Sequence, residues 1–358
     1  MKDFYILAIN PGSTSTKIAI FQNETNIFQK TIRHSVEELA KFKNVTDQFD
    51  FRKEIILKEL EDDGIDINKL SAIVGRGGLV KPIESGVYEV NEQMKADLRI
   101  GITGEHASNL GGLIADDIAK MLPSVKAYIA DPVVVDELED VARIAGHPKF
   151  KRISIFHALN QKAIARTYAK SVGKKYEELN LIVGHLGGGI SVGAHYKGRV
   201  IDVNNALDGD GPFSPDRSGS LPARQLAELC FSGEYTFDEV KKIINGKGGL
   251  TAHTGTNDAY EIEMRARKGD AKAKLIQDAM AYNIAKAVGS MAVVLKGKVD
   301  AILLTGGIAH NPDLVDYVKN MVEFIAPVFV YPGEDEMKAL AMNGLMVLRG
   351  EVKSKEYK

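Results

Sequence analysis

The chain contains 358 residues, a length that suits two domains. Of these residues, 44% are hydrophobic and 26% are charged, and this composition excludes an intrinsically disordered protein. Lysine and arginine number 46 against 48 aspartates and glutamates, so the net charge of −2 gives no basic excess for binding nucleic acid or a membrane surface. The single cysteine, Cys230, excludes an internal disulfide and a cysteine-based zinc site. The sequence also has no recognisable signal peptide and no apolar run of about 18 residues, so we expect a cytoplasmic protein.

The first part of the chain predicts a hairpin followed by helices and further strands. Residues 5–9 form a short apolar run that predicts a buried strand, and a polar turn separates it from a second strand at 17–21. Ser35 and Glu38 predict a capping box at the start of a helix. The remaining elements are predicted as helices at 51–60 and 107–121 and as strands at 70–74 and 125–130.

The same order of motifs returns in the second part of the chain. A strand at 181–183 leads into a glycine-rich turn and a returning strand at 190–195. The later elements are predicted as a strand at 199–203, a helix at 271–295, a strand at 301–304 that ends in glycines, and a helix that opens at Asn311. On the residues alone, this repetition favours either two similar α/β halves around a cleft or two unrelated α/β domains with ordinary hairpins.

Two turns contain the small residues that a phosphate-binding site needs. A phosphate binds where several backbone N–H groups converge, and side chains larger than those of Gly, Ser or Thr would block its approach. The turns at 12–16 and 187–189 both meet this requirement. The sequence contains no P-loop motif, and no dinucleotide-binding glycine motif follows the first strand. Each turn alone is typical of a plain hairpin, and their matching positions in a repeated pattern favour a phosphate site.

The residues around these turns resemble a known family. NPGSTSTK at 10–17 is similar to the first signature of the acetate and butyrate kinases, the acetokinase family. GGGISVG at 187–193 and DVNNALDGDGPFSPDRSG at 202–219 resemble the butyrate kinases of this family more closely than the acetate kinases. The resemblance covers nearly the whole chain. It implies reversible phosphoryl transfer between ATP and a short-chain carboxylic acid, with Mg²⁺ as cofactor and with ADP and an acyl phosphate as products.

The resemblance also implies the fold and the domain organisation. The family belongs to the superfamily of sugar kinases, actin and chaperone ATPases, so we expect a duplicated actin-like α/β fold whose two domains have mixed, five-stranded-type sheets flanking a cleft. The expected domains are an acid-binding domain of residues 1–133 plus 337–358 and a nucleotide-binding domain of residues 134–336. Family members associate at least as dimers, which implies a homodimer or a higher homo-oligomer.

Four residues lie at positions that the family uses for catalysis: Arg76, Asp131, His157 and Arg217. Without the family context, Arg76 is typical of a solvated strand end, and Arg217 of a loop salt bridge with Asp216. Phosphoryl transfer favours guanidinium groups, which contact the equatorial phosphate oxygens in a bidentate way. A carboxylic acid with a pKa near ~4.5 is already ionised at neutral pH, so we interpret Asp131 as orienting Mg²⁺ or its water rather than as a general base.

The remaining implied contacts concern the acid, the nucleotide and the metal. The resemblance implies that the acid is bound by Asn10, Arg76 and His106. It implies that the phosphates and the nucleotide are bound by Gly12, Ser13, Ser15, Lys17, His185, Gly187, Gly188, Gly189, Asp258, Gly306, Gly307 and Asn311. For Mg²⁺ it implies Asn10 together with Asp335 or Glu336, and the sequence leaves the choice between these two acids open.

Several alternatives remain open at this stage. An isobutyrate, acetate or propionate kinase of the same family differs from a butyrate kinase only in the shape of an apolar pocket, where one methylene is worth about 1–3 kcal/mol. A superfamily kinase acting on a hydroxyl group would need a general base in a polar pocket. A non-catalytic nucleotide switch, similar to actin or a chaperone ATPase, would leave the paired arginines without a role.

Overall fold

The computed structural model describes residues 3–358. The chain forms two compact units. The first extends to Val135 and resumes at Asp335–Lys358, and the second is Asp136–Glu334. The functions that the sequence suggests for the two domains, acid binding and nucleotide binding, stay predictions.

The first unit is built on a six-stranded mixed sheet in the order β3-β2-β1-β4-β6-β5. Its strands are β1 (Tyr5–Pro11), β2 (Ser15–Gln22), β3 (Thr25–Arg33), β4 (Ala72–Arg76), β5 (Val87–Glu89) and β6 (Lys126–Ala130). Its helices before residue 136 are α1 (Val36–Leu39), α2 (Phe49–Asp62), α3 (Glu92–Ile100) and α4 (Asn109–Lys120). The predicted capping box of Ser35 and Glu38 is present at the start of α1.

The second unit is built on a five-stranded mixed sheet in the order β11-β10-β7-β8-β9. Its strands are β7 (Asn180–Leu186), β8 (Ile190–Tyr196), β9 (Arg199–Val203), β10 (Ala301–Gly306) and β11 (Val328–Pro332). Its helices are α5 (Ala158–Ser171), α6 (Ala223–Phe231), α7 (Phe237–Ile244), α8 (Gly249–Thr254), α9 (Ala259–Arg267), α10 (Ala271–Val294) and α11 (Pro312–Val322).

The chain returns to the first unit through its last helix, α12 (Glu336–Leu348). This helix packs on β1 and β4, and Gly344 permits the close contact because a Cβ atom there would lie 2.6 Å from Cγ2 of Val74. On α4, Gly111 has the same function, since its Cβ would lie 2.4 Å from the carbonyl oxygen of Arg76. Both helices are therefore fixed close to the strand that ends in Arg76.

The two sheets share one topology. In the first, β1 pairs antiparallel with β2 and parallel with β4, and β4 pairs parallel with β6. In the second, β7, β8, β10 and β11 repeat these pairings in the same order. The repetition expected from the sequence is therefore real, and β5 is an additional edge strand of three residues that the sequence analysis does not predict. Within residues 3–358, no helix is both long enough and apolar enough to cross a membrane.

Candidate active site

Sheet topology gathers four of the sequence-predicted residues at one edge of the first unit. The parallel strands β1, β4 and β6 end at the same edge, where Arg76 pairs with Ala130 and Asp131 follows directly. Across the hairpin of β1 and β2, Asn10 pairs with Lys17. In open α/β sheets, ligands bind at the carboxyl ends of the parallel strands. This edge is therefore the candidate site of the first unit.

Asn10, Arg76 and Glu336 form a hydrogen-bonded cluster at this edge. Nδ2 of Asn10 donates to Oε2 of Glu336 at 2.5 Å, and Nη1 of Arg76 donates to Oδ1 of Asn10 at 3.2 Å. Arg76 Nη1 also lies 3.0 Å from Oε1 of Glu336. The side chains of Arg76 and Glu336 keep 26% and 18% of their surface exposed, so a ligand can still reach both.

The two candidate metal-binding acids have different environments. The carboxylate of Asp335 accepts a hydrogen bond from the backbone N–H of Lys338 and thereby caps α12. The carboxylate of Glu336 points instead to Asn10 and Arg76. Among residues 3–358, no group of three or more His, Cys, Asp or Glu side chains could hold a metal by itself. An amide oxygen and one carboxylate fit Mg²⁺, which commonly takes one or two protein carboxylates and completes its shell with phosphate and water.

Asp131 is buried and has an unusual backbone conformation. It is 1% exposed and has φ of +38°, a left-handed value that costs a non-glycine residue about 1–3 kcal/mol and that occurs often at functional sites. Its Oδ1 accepts hydrogen bonds from Oγ of Ser85 at 2.6 Å and from the backbone N–H of Gly86 at 2.9 Å. Asp131 therefore holds the loop before β5, and its role with Mg²⁺ or water stays a prediction.

Arg52, which the sequence analysis did not select, lies beneath the first turn. It is 1% exposed, and its Nη1 donates to the carbonyl oxygens of Gly12 at 2.8 Å and Ser15 at 3.2 Å. Its Nη2 donates to the carbonyl oxygen of Ser13 at 3.1 Å, and both Nε and Nη2 donate to Gln48. These acceptors are all neutral. Burial lowers the pKa of Arg52, and the guanidinium holds the carbonyl oxygens of the turn on its buried side.

A weak signal for Arg52 exists in the sequence. Arg52, Ile56 and Leu60 are the buried residues of α2, and their spacing of four places them on one face of the helix. An arginine in an otherwise apolar stripe indicates a buried partner, although the spacing does not say which partner.

His106 is held by the residue two positions after it. Its Nδ1 accepts a hydrogen bond from the backbone N–H of Ser108 at 3.1 Å and lies 2.9 Å from Oγ of Ser108. The pKa of His106 is lowered, first by desolvation and then by the positive charges of Arg76 and Arg52. A neutral imidazole that accepts at Nδ1 carries its hydrogen on Nε2, so His106 has one N–H group available to an anionic ligand.

In the second unit, the glycine turn lies against Arg217. The backbone N–H of Gly187 donates to the carbonyl oxygen of Gly189 at 3.1 Å, and Oγ of Ser214 donates to the carbonyl oxygen of Gly188 at 2.6 Å. A Cβ atom on Gly189 would lie 1.7 Å from Nη1 of Arg217, so only glycine leaves room for this guanidinium. The structure therefore brings the turn residues and Arg217 together, and their contacts with a phosphate stay a prediction.

Arg217 keeps an unused hydrogen-bond donor. Its Nη1 donates to the carbonyl oxygen of Ala206 at 2.7 Å, while its buried Nε has no hydrogen-bond partner within residues 3–358. The nearest carboxylate oxygen, Oδ1 of Asp216, lies 3.7 Å from this Nε. Burial lowers the pKa of Arg217, although Asp216 and Asp208 oppose this effect. The salt bridge with Asp216 is therefore loose, and a buried unsatisfied donor is typical of a functional group.

His157 and His185 lie together at the entrance to α5. Their rings stack with centroids 3.8 Å apart and an interplanar angle of 11°. His157 Nδ1 lies 2.8 Å from Oγ of Ser191, and His185 Nδ1 lies 2.8 Å from Oδ1 of Asn160. His185 Nε2 is 3.7 Å from Oε2 of Glu334. Both predicted histidines therefore belong to one group beside the glycine turn.

The predicted adenosine-binding residues are of two kinds: glycines, and side chains that already make hydrogen bonds within the fold. Gly306 has φ of +93°, and Gly307 is exposed with nothing within 4 Å of the position a Cβ would take. Asn311 is buried, and its amide caps α11 and donates to Gln277. Asp258 caps α9 through the backbone N–H groups of residues 260 and 261. The nucleotide contacts of Asp258 and Asn311 stay predictions, and the side chain of Asn311 is already used within the fold.

Comparison with known proteins identifies the family. The model of the Acetokinase family matches residues 150–327. Butyrate kinase 2 of Clostridium acetobutylicum is 58% identical over 355 residues, which cover 99% of this chain and 99% of that protein. The chain belongs to the acetokinase family. A probable butyrate kinase of Bacteroides thetaiotaomicron is also 58% identical, over 353 residues that cover 99% of each chain.

A solved structure shows the acetokinase fold directly. The crystal structure of Porphyromonas gingivalis acetate kinase matches with a TM-score of 0.81 at 20% identity and covers 96% of this chain and 100% of that one. The family and the fold class that the sequence analysis inferred from the two glycine-containing motifs are therefore confirmed.

Proposed function

We propose that this acetokinase-family protein is a butyrate kinase, which converts butyrate and ATP reversibly into butyryl phosphate and ADP. The observation that carries this proposal is the 58% identity to Butyrate kinase 2 over 99% of both chains. Transfer to a carboxylate explains why the two candidate sites contain arginines and neutral donors. The carboxylate is ionised at neutral pH, so no side chain has to remove a proton from it.

In the proposed reaction, a carboxylate oxygen attacks the γ-phosphorus and forms the new P–O bond. The bond between this phosphorus and the bridging oxygen of ADP breaks, and ADP leaves with the electron pair. Charge on the equatorial oxygens is stabilised by positioned cations and N–H donors. We propose Arg217 and His157 for this role in the second unit, and Arg76 in the first. Asp131, which accepts from Ser85 and Gly86, would orient Mg²⁺ or its water.

We propose that the first unit binds the acid and that the second binds the nucleotide. The acid would contact Asn10, Arg76 and His106, which present an amide, a guanidinium and a neutral imidazole. The phosphates would contact the turns at 12–16 and 187–189. The adenosine would contact the exposed backbone at Gly307, where no other part of residues 3–358, apart from its two chain neighbours, has a heavy atom within 4 Å of the position of a Cβ.

Mg²⁺, when bound, supplies positive charge that offsets the negative charge of the phosphate oxygens. We propose that Asn10 and Glu336 hold it, because Asp335 is already used as a helix cap. Glu336→Gln should raise the Mg²⁺ concentration required for half-maximal activity. Asp335→Asn is the matched control, since asparagine also caps helices well and should leave this requirement unchanged. If Asp335→Asn alone raises the requirement, the assignment is wrong.

We also propose a cytoplasmic homodimer or higher homo-oligomer, which rests on the family resemblance. Light scattering coupled to size exclusion tests the oligomeric state, and a monomeric mass would contradict it.

The function is tested by trapping the acyl phosphate with hydroxylamine. Mg·ATP is supplied with acetate, propionate, butyrate, isobutyrate or valerate, and the hydroxamate is measured against a reaction without acid. We expect the highest kcat/KM with butyrate. Highest activity with isobutyrate, acetate or propionate would move the assignment to another acid within the family. ATP hydrolysis that no acid stimulates would favour a nucleotide switch, and phosphorylation of a hydroxyl compound would favour a sugar kinase.

A further inference from the structure

A chain of buried side chains leads from His157 into the second unit. Oγ of Ser191 lies 2.8 Å from Nδ1 of His157, and Nε2 of Gln161 lies 2.8 Å from the same Oγ. Oε1 of Gln161 lies 2.9 Å from Nε2 of His195, whose Nδ1 lies 2.6 Å from the hydroxyl of Tyr176. Ser191, Gln161 and His195 are each 0% exposed. The proposed reaction assigns no role to the four residues beyond His157.

The orientation of the Gln161 amide is fixed by its second contact. Its Nε2 also lies 3.0 Å from the backbone carbonyl oxygen of Ser191. A carbonyl oxygen can only accept, so the reversed amide would bring two acceptors together. Nε2 therefore donates to Ser191, and Oε1 accepts from His195.

His195 is consequently a neutral imidazole with its hydrogen on Nε2. Burial lowers the pKa of His195 well below its ordinary value, and the positive charges of Lys162 and Arg166 lower it further. Nδ1 of this neutral ring accepts from the hydroxyl of Tyr176. Each hydrogen bond from Tyr176 to Gln161 is thus donated in the same direction: Tyr176 donates to His195, and His195 donates to Gln161.

The hydroxyl hydrogen of Ser191 then determines the state of His157. Oγ of Ser191 accepts from Gln161, and the one acceptor that its own hydrogen can reach within residues 3–358 is Nδ1 of His157. If Nδ1 carried a hydrogen instead, this buried hydroxyl hydrogen would have no partner, which costs about 1–3 kcal/mol. Nδ1 of His157 therefore accepts, and its hydrogen is on Nε2.

Gly193 leaves room for these buried side chains. A Cβ atom at this position would lie 2.8 Å from Oε1 of Gln161 and 3.3 Å from Nε2 of His195. Gly193 has no positive φ that would by itself require glycine. This glycine of the motif at 187–193 is explained by the space that the buried chain needs.

We propose that these buried side chains fix His157 as a hydrogen-bond donor through Nε2, so that Nε2 cannot act as a base. The positioning residues are Ser191, Gln161, His195 and Tyr176. The inference rests on the proposed function, in which His157 contacts the transferring phosphoryl group. A fixed N–H donor stabilises charge on a phosphoryl oxygen without reorganisation during the reaction.

The first test is the tautomer of His157 in the unmodified enzyme. Nitrogen-15 NMR of the histidine side chains distinguishes protonated from unprotonated ring nitrogens, and the spectrum of His157→Gln assigns the resonances. We expect a protonated Nε2 and an unprotonated Nδ1 for His157. A protonated Nδ1 would overturn the proposal. Because this measurement needs no turnover, its result is independent of the hydroxamate assay, which tests the proposed function.

Two substitutions at Ser191 test whether the buried hydrogen bonds determine the tautomer of His157. Ser191→Ala removes the donor to Nδ1, so we expect a mixture of His157 tautomers and a fall in kcat of about tenfold, with KM for ATP little changed. Ser191→Thr keeps the hydroxyl and should keep the wild-type tautomer. Ser290→Ala, on the exposed side of α10, is the matched control and should change neither readout.

Gln161→Glu is the sharper variant because it keeps the shape of the side chain. Burial raises the pKa of a carboxyl group, so carbon-13 NMR is used to read the ionisation of the Glu side chain in this variant. When ionised, the carboxylate accepts from the Ser191 hydroxyl, whose Oγ then accepts from Nδ1–H of His157, whereas a protonated carboxyl would donate as the amide does. We expect the hydrogen of His157 to move to Nδ1 and kcat to fall about a hundredfold. If Ser191→Ala folds, or Gln161→Glu folds with an ionised carboxylate, and both the tautomer of His157 and kcat match the wild type, the proposal is wrong. If neither variant folds, the tautomer of the unmodified enzyme decides the question.

Discussion

The turns at 12–16 and 187–189 occupy matching positions in two sheets of the same topology, but arginine serves them differently. Arg52 lies beneath the first turn, where it uses its donors on carbonyl oxygens and on Gln48. Arg217 lies on the second turn, against Gly189, and its Nε has no hydrogen-bond partner among the residues that the structure describes. A buried guanidinium with satisfied donors stabilises a loop, whereas the side chain of Arg217 keeps 22% of its surface exposed and can be reached by a ligand. If Arg217 contacts the transferring phosphoryl group as we propose, the two halves use the same residue type to support one turn and to bind a ligand at the other.

The largest effect should come from the second turn. Arg217→Gln removes a cation that we place on the transferring phosphoryl group, so kcat should fall about 10³-fold. The melting temperature should change little, because the side chain of Arg217 makes one hydrogen bond within residues 3–358. Hydroxamate kinetics and thermal unfolding measure the two effects. A large loss of stability with little loss of kcat would make Arg217 equivalent to Arg52 and remove the contrast.

Arg52 should show the opposite pattern. Arg52→Met leaves the carbonyl oxygens of the first turn without donors, so the free energy of unfolding should fall by about 2–4 kcal/mol, measured by urea denaturation. Lys58→Met, on the exposed face of α2, is the matched control and should stay within about 0.5 kcal/mol of the wild type. A variant at position 52 that is as stable as this control would show that the turn does not depend on the buried cation.

Alanine substitutions at the adjacent glycines 188 and 189 distinguish the effect of displacing Arg217 from an effect on phosphate binding. Gly189→Ala must displace the guanidinium of Arg217, which is the end of a flexible side chain, so it should lower kcat as Arg217→Gln does and change the free energy of unfolding by no more than about 1 kcal/mol. Gly188→Ala has open space at the Cβ position and should preserve stability, while a raised KM for ATP would indicate that this position faces the phosphates. A wild-type kcat in Gly189→Ala would contradict the close contact between Gly189 and Arg217.

The smallest effect concerns pH. His34 lies 2.9 Å from Oγ1 of Thr16 beside the first turn, and its pKa is lowered, first by burial and then by the charge of Arg52. Below about pH 6.5, His34 binds a proton more readily in the unfolded chain than in the folded protein. The free energy of unfolding therefore falls as the pH falls below that value, by at most about 1.4 kcal/mol per pH unit. His34→Gln should lose less stability than the wild type between pH 6.5 and 5. Parallel curves would show that His34 titrates normally.

How much of this arrangement the sequence predicts depends on the range of the interactions. Local patterns predict β1, β2, the capping box at Ser35 and both glycine turns, because apolar runs and small residues act within a few positions. The assignment of Asp335 as a helix cap was also open to local reasoning, since aspartate is preferred over glutamate at that position. Sequence reasoning did not use this preference and left the choice between Asp335 and Glu336 open.

Long-range contacts account for what the sequence does not predict. Arg52 meets Gly12 across 40 residues, and Gln161 meets Ser191 across 30, through packing that no local spacing encodes. The short strand β5 has only three residues, too few for an alternating pattern to be recognised.

The position of Glu336 in the chain affects how the protein can be synthesised. Asn10 and Glu336 are 326 residues apart, yet α12 packs on β1 and β4 and supplies the acid beside Asn10. At about 5–20 residues per second, a ribosome needs on the order of 10–40 s to make the roughly 200 residues between the two segments of the first unit. During this interval the nascent sheet exposes the apolar surface that α12 later covers. We expect prematurely terminated chains to aggregate and to lack kinase activity, so that activity arises only in chains whose translation is complete.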